Sequence, residues 1–413
     1  MNKNLITKVD ESPYEEGALK VRKLTFMEVV FIVVGCGIGS GCLGTAYSAR
    51  LAGFPVITFW LIVSGVTTLF SMYYVAEVAL RTRKMVQLPS LAERYAGPVG
   101  RVLIFLAVTL NAFSCLIAYF NGSGSILNAL LGIPDWAGTL MFLIPGIIVV
   151  LIGLKAVGAA GKWLSIAMTV MLIILCGASV VSKDADLSRL LVSDWSYAIP
   201  VFNVAAFSYI GQYLVPDLAR GLAHNPKKLA PAMLIGQLIT AALLILVPLG
   251  CFAINPADKI TQVATIAWGQ ALGQWALFTA NIFALIAMFT SFCPISQTLV
   301  SSIVDFFKFK SDSDMKTRIP IMLVVYGIPL VLVLGGFVGF VDAIYFSGTF
   351  CAAIMAILPV IMVNKARKTG DIDPVWNCGW MASSPIQIII VVLYGGTIFY
   401  AIFSAAGLLP SGW

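Results

Sequence analysis

The chain has 413 residues, of which 60% are hydrophobic and only 11% charged, and its mean hydropathy is +0.95. Soluble domains carry roughly 25% charged residues, so this composition excludes a water-soluble globular fold, which could not cover so much apolar surface. The formal net charge of +7 would suit a nucleic-acid partner only if the basic residues were clustered on one folded face; they are instead spread between apolar runs, and no nucleic-acid partner is expected.

In a bilayer every backbone polar group must be paired internally, so spans are helices of about 20 residues or strands of a closed barrel. The apolar runs here are too long for barrel strands. Residues 1–24 are polar and lead into an apolar run longer than the core of a signal peptide, so the N-terminus reads as retained. In chain order, helical spans are expected near 25–52, 55–80, 101–130, 138–154, 157–182, 197–221, 230–254, 274–307, 319–340, 342–364 and 386–407, eleven in all. The run from Ile319 to Asn364 would make about 69 Å of helix at 1.5 Å per residue, so it must fold back, with Gly335, Gly336, Gly339 and Asp342 supplying the turn.

Cytoplasmic loops carry the excess of Lys and Arg. With the N-terminus inside, the inner segments hold 22 of the 26 basic residues, and the outer ones only Arg50, Lys183, Arg189 and Lys259. This asymmetry predicts a cytoplasmic N-terminal segment (1–24), a single transmembrane domain (25–407) and an outer tail (408–413). The eight cysteines lie mostly inside apolar spans with no CxxC pair, so neither a disulfide framework nor a metal site is expected. His224, the only histidine, sits in a short inner loop.

Two spans break helix rules. The first contains Gly35-Cys36-Gly37-Ile38-Gly39-Ser40-Gly41, four glycines in seven residues, which opposes a continuous helix. Gly35-x-x-x-Gly39 and Gly37-x-x-x-Gly41 also satisfy the small-residue packing pattern, so a break and close packing both account for it. The sixth span carries Phe207-Ser208-Tyr209-Ile210-Gly211-Gln212, with Pro216 and Asp217 just beyond. Interruptions at matching places in two halves point to inverted-repeat transporters, with repeats near 25–182 and 197–364 and an eleventh helix near 386–407. Where a helix unwinds at the midplane, a half-helix N-terminus can hold a carboxylate and the released carbonyls an ammonium. A zwitterionic amino acid matches both. The carboxylate is assigned to the amides of Gly39, Ser40 and Gly41, and the amine to carbonyls near Cys36, Gly37, Phe207 and Ser208, with Tyr209 beside them.

These residues give the chain a resemblance to the aromatic and hydroxy amino acid permease family, related to the auxin and amino acid permeases of the amino acid-polyamine-organocation superfamily. The glycine motif through Leu43, Ala76-Glu77-Val78-Ala79-Leu80-Arg81-Thr82 at the end of the second span, and Asn225-Pro226-Lys227-Lys228 after the sixth carry it. Ala46 departs from the pattern, where the family usually has proline. The resemblance implies an all-α leucine-transporter fold of five plus five inverted repeats with an eleventh helix, and secondary active uptake of a neutral, aromatic amino acid across the bacterial inner membrane, without a cofactor. It also implies that Asn111, Ser114 and Cys115, midway along the third span, contact the substrate side chain.

In this fold a sodium site commonly lies between the first-span break and hydroxyl residues of the eighth span, where Thr290 and Ser291 stand. Relatives with a lysine at the place of Lys162 imply that an ammonium can occupy that position. Two unit charges at about 4 Å repel by about 4 kcal/mol at an effective dielectric near 20, so Lys162 argues for proton coupling or sodium independence. Lys162 could instead snorkel to the cytoplasmic surface, and sodium symport through Thr290 and Ser291, or exchange, stays open. Glu77, one turn from Arg81, reads as an interfacial ion pair. A channel would need a repeated pore-lining ring, which is not seen. An enzyme would need acid-base groups or a phosphate-binding motif, and none is found.

Overall fold

A computed structural model describes residues 23–152, 155–309 and 314–408, with the side chains of 152, 155–162 and 405 outside the description. The polypeptide enters the membrane through a capping box: Thr25 Oγ1 accepts from the Glu28 amide at 3.3 Å and Glu28 Oε2 from the Thr25 amide at 2.7 Å, which satisfies two amides a helix start leaves unpaired. Helix α1 (Phe26–Gly37) follows, then α2 (Ser40–Ser48), α3 (Phe54–Leu80) and α4 (Leu88–Leu131). Gly97 takes a φ of +79° ahead of Pro98 and kinks α4, so an inner lead-in helix joins the third span. The residue before a proline is pushed out of the helical region, which places the bend there.

The chain continues as α5 (Asp135–Ile152), α6 (Lys155–Val181), α7 (Ala198–Phe207), α8 (Val215–Gly221), α9 (Leu229–Ile254), α10 (Ala264–Leu272) and α11 (Gln274–Phe306). It ends with α12 (Met315–Leu334), α13 (Phe340–Phe346), a π-helical turn at Ser347–Cys351, α14 (Ala352–Thr369) and α15 (Ser384–Ala405). The long apolar run does fold back between α12 and α13, where Gly336 adopts a φ of +67°. Among the described residues ten helical segments, with α1–α2, α7–α8 and α13–α14 each taken as one, are long and apolar enough to cross a membrane. Over Asp135–Leu151 α5 is shorter, so a count of eleven crossings rests on that helix. Helix α10, the π turn and the inner extension of α4 lie outside the expected spans or leave no mark in their hydropathy.

The interrupted segments sit at the centre. The apolar window of α7–α8 is 89% buried and that of α1–α2 67%, against 33% for α6, α12 and α15, whose outer faces expose Val170, Ile173, Leu323, Val324, Ile388 and Val392. A fold whose rim is apolar and whose centre is irregular suits lipid outside and a lined site within. Around the centre, α1 packs on α9, α6 and α11, while α3 packs on α7, α9 and α14.

At the end of the molecule that carries the basic loops, Glu77 is fully buried and ties three segments together. It pairs with Arg81 Nε at 3.0 Å and with Arg367 Nε and Nη2 at 2.8 and 2.9 Å, and accepts from the Cys378 amide at 2.8 Å. The expected Glu77–Arg81 pair is thus present and is part of a larger clamp. Asp371 extends it, accepting from both terminal nitrogens of Arg94 at 2.7 and 2.5 Å and from the Arg83 amide at 3.0 Å.

Candidate functional site

The first span unwinds where its glycines predict. Helix α1 closes with the Ile38 amide on the Val34 carbonyl at 3.0 Å, and Gly39 stands as N-cap of α2 with no side chain to cap it. The second interruption covers Ser208 to Gly211. The amides of Tyr209 and Ile210 bond back to Ala206 and Phe207 at 3.1 Å each, and a short 3₁₀ turn, Gln212–Leu214, leads into α8. Here the sequence signal is the small polar run followed by Pro216 at the first turn of the new helix, a position proline favours.

Break and close packing, the two accounts of the glycine motif, hold together. A Cβ on Gly37 would fall 2.3 Å from Thr240 of α9, one on Gly39 2.8 Å from Ser291 Oγ and 2.9 Å from Tyr119 Oη, and one on Gly41 2.7 Å from the Ser208 Cα. The last contact is backbone against backbone, so the two interruptions touch directly. A side chain at Gly41 would push them apart.

Between them lies a cavity of about 10 Å³, lined by Cys36, Gly37, Gly39, Ser40 and Gly41 of the first break, Asn111, Cys115 and Tyr119 of α4, and Phe207, Ser208, Ile210 and Tyr213 of the second. That is room for about one water, so an amino acid enters only when the walls part. All five first-break residues named from the sequence line it, as do Asn111, Cys115, Phe207 and Ser208. Ser114 is buried on α4 but outside the lining. Tyr209 turns away, its ring against Gly65 of α3, where a Cβ would stand 3.1 Å from Cζ.

Tyr119, Ile210 and Tyr213 were not anticipated. Tyr119 had a signal: Asn111, Cys115 and Tyr119 recur every four residues and so share one helix face. Cys36 Sγ meets Tyr213 Oη at 3.0 Å and donates to the Ile210 carbonyl at 3.7 Å, joining the breaks a second time.

Polar groups gather at the start of α2. Its first amides have no intrahelical acceptor, and Ser40 Oγ is buried with no hydrogen-bond partner among the described residues. An anion satisfies both, and the helix dipole favours it. Behind the first break, Ser291 Oγ donates to the Gly35 carbonyl and to Ala287 O, the latter at 3.1 Å, and Thr290 packs against Gly35 while its hydroxyl donates to Ala287 O at 3.0 Å. The structure therefore brings Thr290 and Ser291 to the first break. The side chain of Lys162 lies outside the described residues.

Ten apolar helical segments among the described residues, with two interrupted spans meeting at a buried cavity, define a multi-pass membrane transport protein. The fold is that of the leucine transporters: a solved structure of MhsT in complex with L-phenylalanine superposes with a TM-score of 0.68 over 92% of this chain and 100% of that one, at 16% identity. Residues 22–402 match the tryptophan/tyrosine permease family. The chain belongs to that family, and is a transporter rather than an enzyme. Similar proteins include the tyrosine-specific transport system 1 of Haemophilus influenzae, 26% identical over 400 residues that cover 92% of this chain and 97% of the relative. Another is the tryptophan-specific transport protein of Shigella flexneri, 24% identical over 401 residues, covering 89% and 94%.

Proposed function

We propose that the protein imports a neutral aromatic amino acid across the bacterial inner membrane by alternating access, as a secondary active transporter. The observation that carries this is the cavity where the two interruptions touch, with the uncapped amide end of α2 and the unpartnered Ser40 hydroxyl on its wall. The carboxylate binds the amides of Gly39, Ser40 and Gly41, and the ammonium binds carbonyls of the two breaks near Cys36, Gly37, Phe207 and Ser208. Family membership and relatives named for tyrosine and tryptophan support an aromatic side chain. The breaks fall at matching places in two halves, 25–182 and 197–364, which supports an inverted repeat followed by α15 as an eleventh crossing. The bias of basic residues supports a cytoplasmic N-terminus and an outer C-terminus.

Coupling is to protons, or is independent of sodium, with the Lys162 ammonium at the usual sodium position. A second reading has one specific observation in its favour: the Thr290 and Ser291 hydroxyls stand against Gly35 at the first break, an oxygen-rich corner suited to sodium. Proteoliposome uptake of a panel of labelled amino acids, with sodium and pH gradients imposed separately, tests both. Saturable, concentrative uptake of an aromatic amino acid driven by the pH gradient is expected, and Lys162→Ala should abolish the pH dependence. Uptake driven by sodium alone supports the second reading, non-saturating flux a channel, and absence of uptake of any amino acid overturns the proposal.

A further inference from the structure

Helix α4 gives the cavity wall a polar group that nothing among the described residues satisfies. Asn111 is 2% exposed and lines the cavity. Its Oδ1 accepts from Ser347 Oγ at 2.7 Å, and its Nδ2 donates to no acceptor among the described residues. Ser347 opens the π-helical turn Ser347–Cys351, a helix irregularity that occurs mostly as single turns and is frequent at functional sites. The serine, itself fully buried, thereby orients the amide: with the oxygen held, the two N–H donors are left for the cavity.

Tyr119, eight residues beyond Asn111 on the same face of α4, sets its hydroxyl beside Gly39 at the α2 end, so Asn111 and the start of α2 border one cavity.

Resting on the transport reading above, we propose that Asn111, oriented by Ser347, selects tyrosine among the aromatic amino acids by donating a hydrogen bond from Nδ2 to the phenolic oxygen. The phenol can accept that bond; phenylalanine offers no polar atom, and the indole N–H of tryptophan is a donor only, which would meet a donor. A buried donor left unpaired by the wrong substrate is how a site rejects it strongly, by up to about 10⁴-fold or more.

The test is the ratio of kcat/KM for tyrosine to that for phenylalanine and for tryptophan, measured by uptake into proteoliposomes. The wild type should favour tyrosine by about 10²-fold or more. Asn111→Leu should bring the tyrosine to phenylalanine ratio to within about threefold of unity by raising KM for tyrosine and lowering it for phenylalanine, a crossing that general damage to the fold would not produce. Ser347→Ala, which removes only a hydroxyl, should lower the ratio at least about tenfold with uptake of phenylalanine retained, and carries the test if Asn111→Leu does not reach the membrane. A wild type that prefers phenylalanine or tryptophan, or variants that leave the ratio unchanged, overturns the role of Asn111 while leaving the transport reading intact. Uptake of none of the three by folded wild type overturns that reading, and this proposal with it.

Discussion

Gly41 brings the first interruption against Ser208 of the second, and glycine is the one residue that permits the approach. A Cβ at position 41 meets the Ser208 Cα at 2.7 Å, and backbone cannot swing aside as a side-chain tip can. Gly41→Ala is therefore expected to abolish uptake, with the protein still inserted and helical by circular dichroism. Gly177→Ala, where a Cβ meets nothing within 4 Å about one turn before the end of α6, should leave uptake intact and raise thermal stability by up to about 0.5–1 kcal/mol, the gain on replacing a glycine inside a helix. The glycine motif was legible because four glycines in one apolar run violate helix propensity so strongly. Asn111 and Cys115 were legible through the family resemblance, which implies substrate contacts midway along the third span. Tyr119 has a signal only in its four-residue spacing with Asn111 and Cys115, while Ile210 and Tyr213 have none, because large apolar or aromatic residues in a membrane span read as ordinary packing and only their convergence on the cavity sets them apart. Tyr209 shows the converse, a polar aromatic beside the break whose ring points at Gly65.

Among the elements, α8 is short and its place depends on one carboxylate. Asp217 accepts from Gln87 Nε2, at the N-cap of α4, at 2.8 Å and from Thr298 Oγ1 of α11 at 3.1 Å, and pairs with Arg220 one turn on. The Leu24 amide, ahead of α1, bonds to the Gly221 carbonyl at 2.9 Å, so α1 and α8 are joined at the end that carries the basic loops. Asp217→Ala takes the acceptor from three buried donors, Gln87, Thr298 and Arg220, which costs about 1–3 kcal/mol each, and loosens α8. The expected outcome is several-fold faster labelling of Cys36 by a membrane-impermeant thiol reagent applied to the cytoplasmic side, with Cys36→Ser as the control; an unchanged rate would show that α8 is held elsewhere.

Glu77 clamps α3, α14 and the 370–383 segment. Removing one partner of a buried pair leaves the others uncompensated, and Arg367 is 30% exposed, so Glu77→Gln should destabilise by roughly 3 kcal/mol, seen as a lower melting temperature in detergent. Helix positions were legible from hydropathy. The nine-residue α10 was not, because a short helix of mixed polarity reads as loop; it is held by its contacts, among them Trp268 Nε1 donating to Ser179 of α6 at 2.6 Å. The π turn has no residue signature at all, since it arises where α13 and α14 meet α4 and α7.

At the scale of the molecule, composition and charge bias contained the class of protein, and the crossing of the two breaks its site. What drives transport lies in how several spans converge, which periodicity does not encode. Asp371, in the segment after α14, bears on this. The hydrogen bonds from the Arg94 guanidinium hold its carboxyl below its ordinary value near 3.8. A depressed folded pKa gives stability that is present above the ordinary value and lost only as pH falls through the lower one. Asp371 thus stays ionised across about pH 5 to 8, and Asp371→Asn should leave the shape of the uptake profile there unchanged; a flattened profile would make this carboxylate the coupling group.

The central claim is that the meeting point of the two interrupted spans binds an aromatic amino acid by its charged ends. Its most direct test is a structure of the full chain in lipid nanodiscs, determined by electron cryomicroscopy at saturating L-tyrosine. The carboxylate should lie within hydrogen-bond distance of the Gly39–Gly41 amides and Ser40 Oγ, with the ammonium on carbonyls of the two breaks and the ring between Phe207 and α4. Density for the amino acid at any other place, or a closed and empty cavity at saturating ligand, would contradict it.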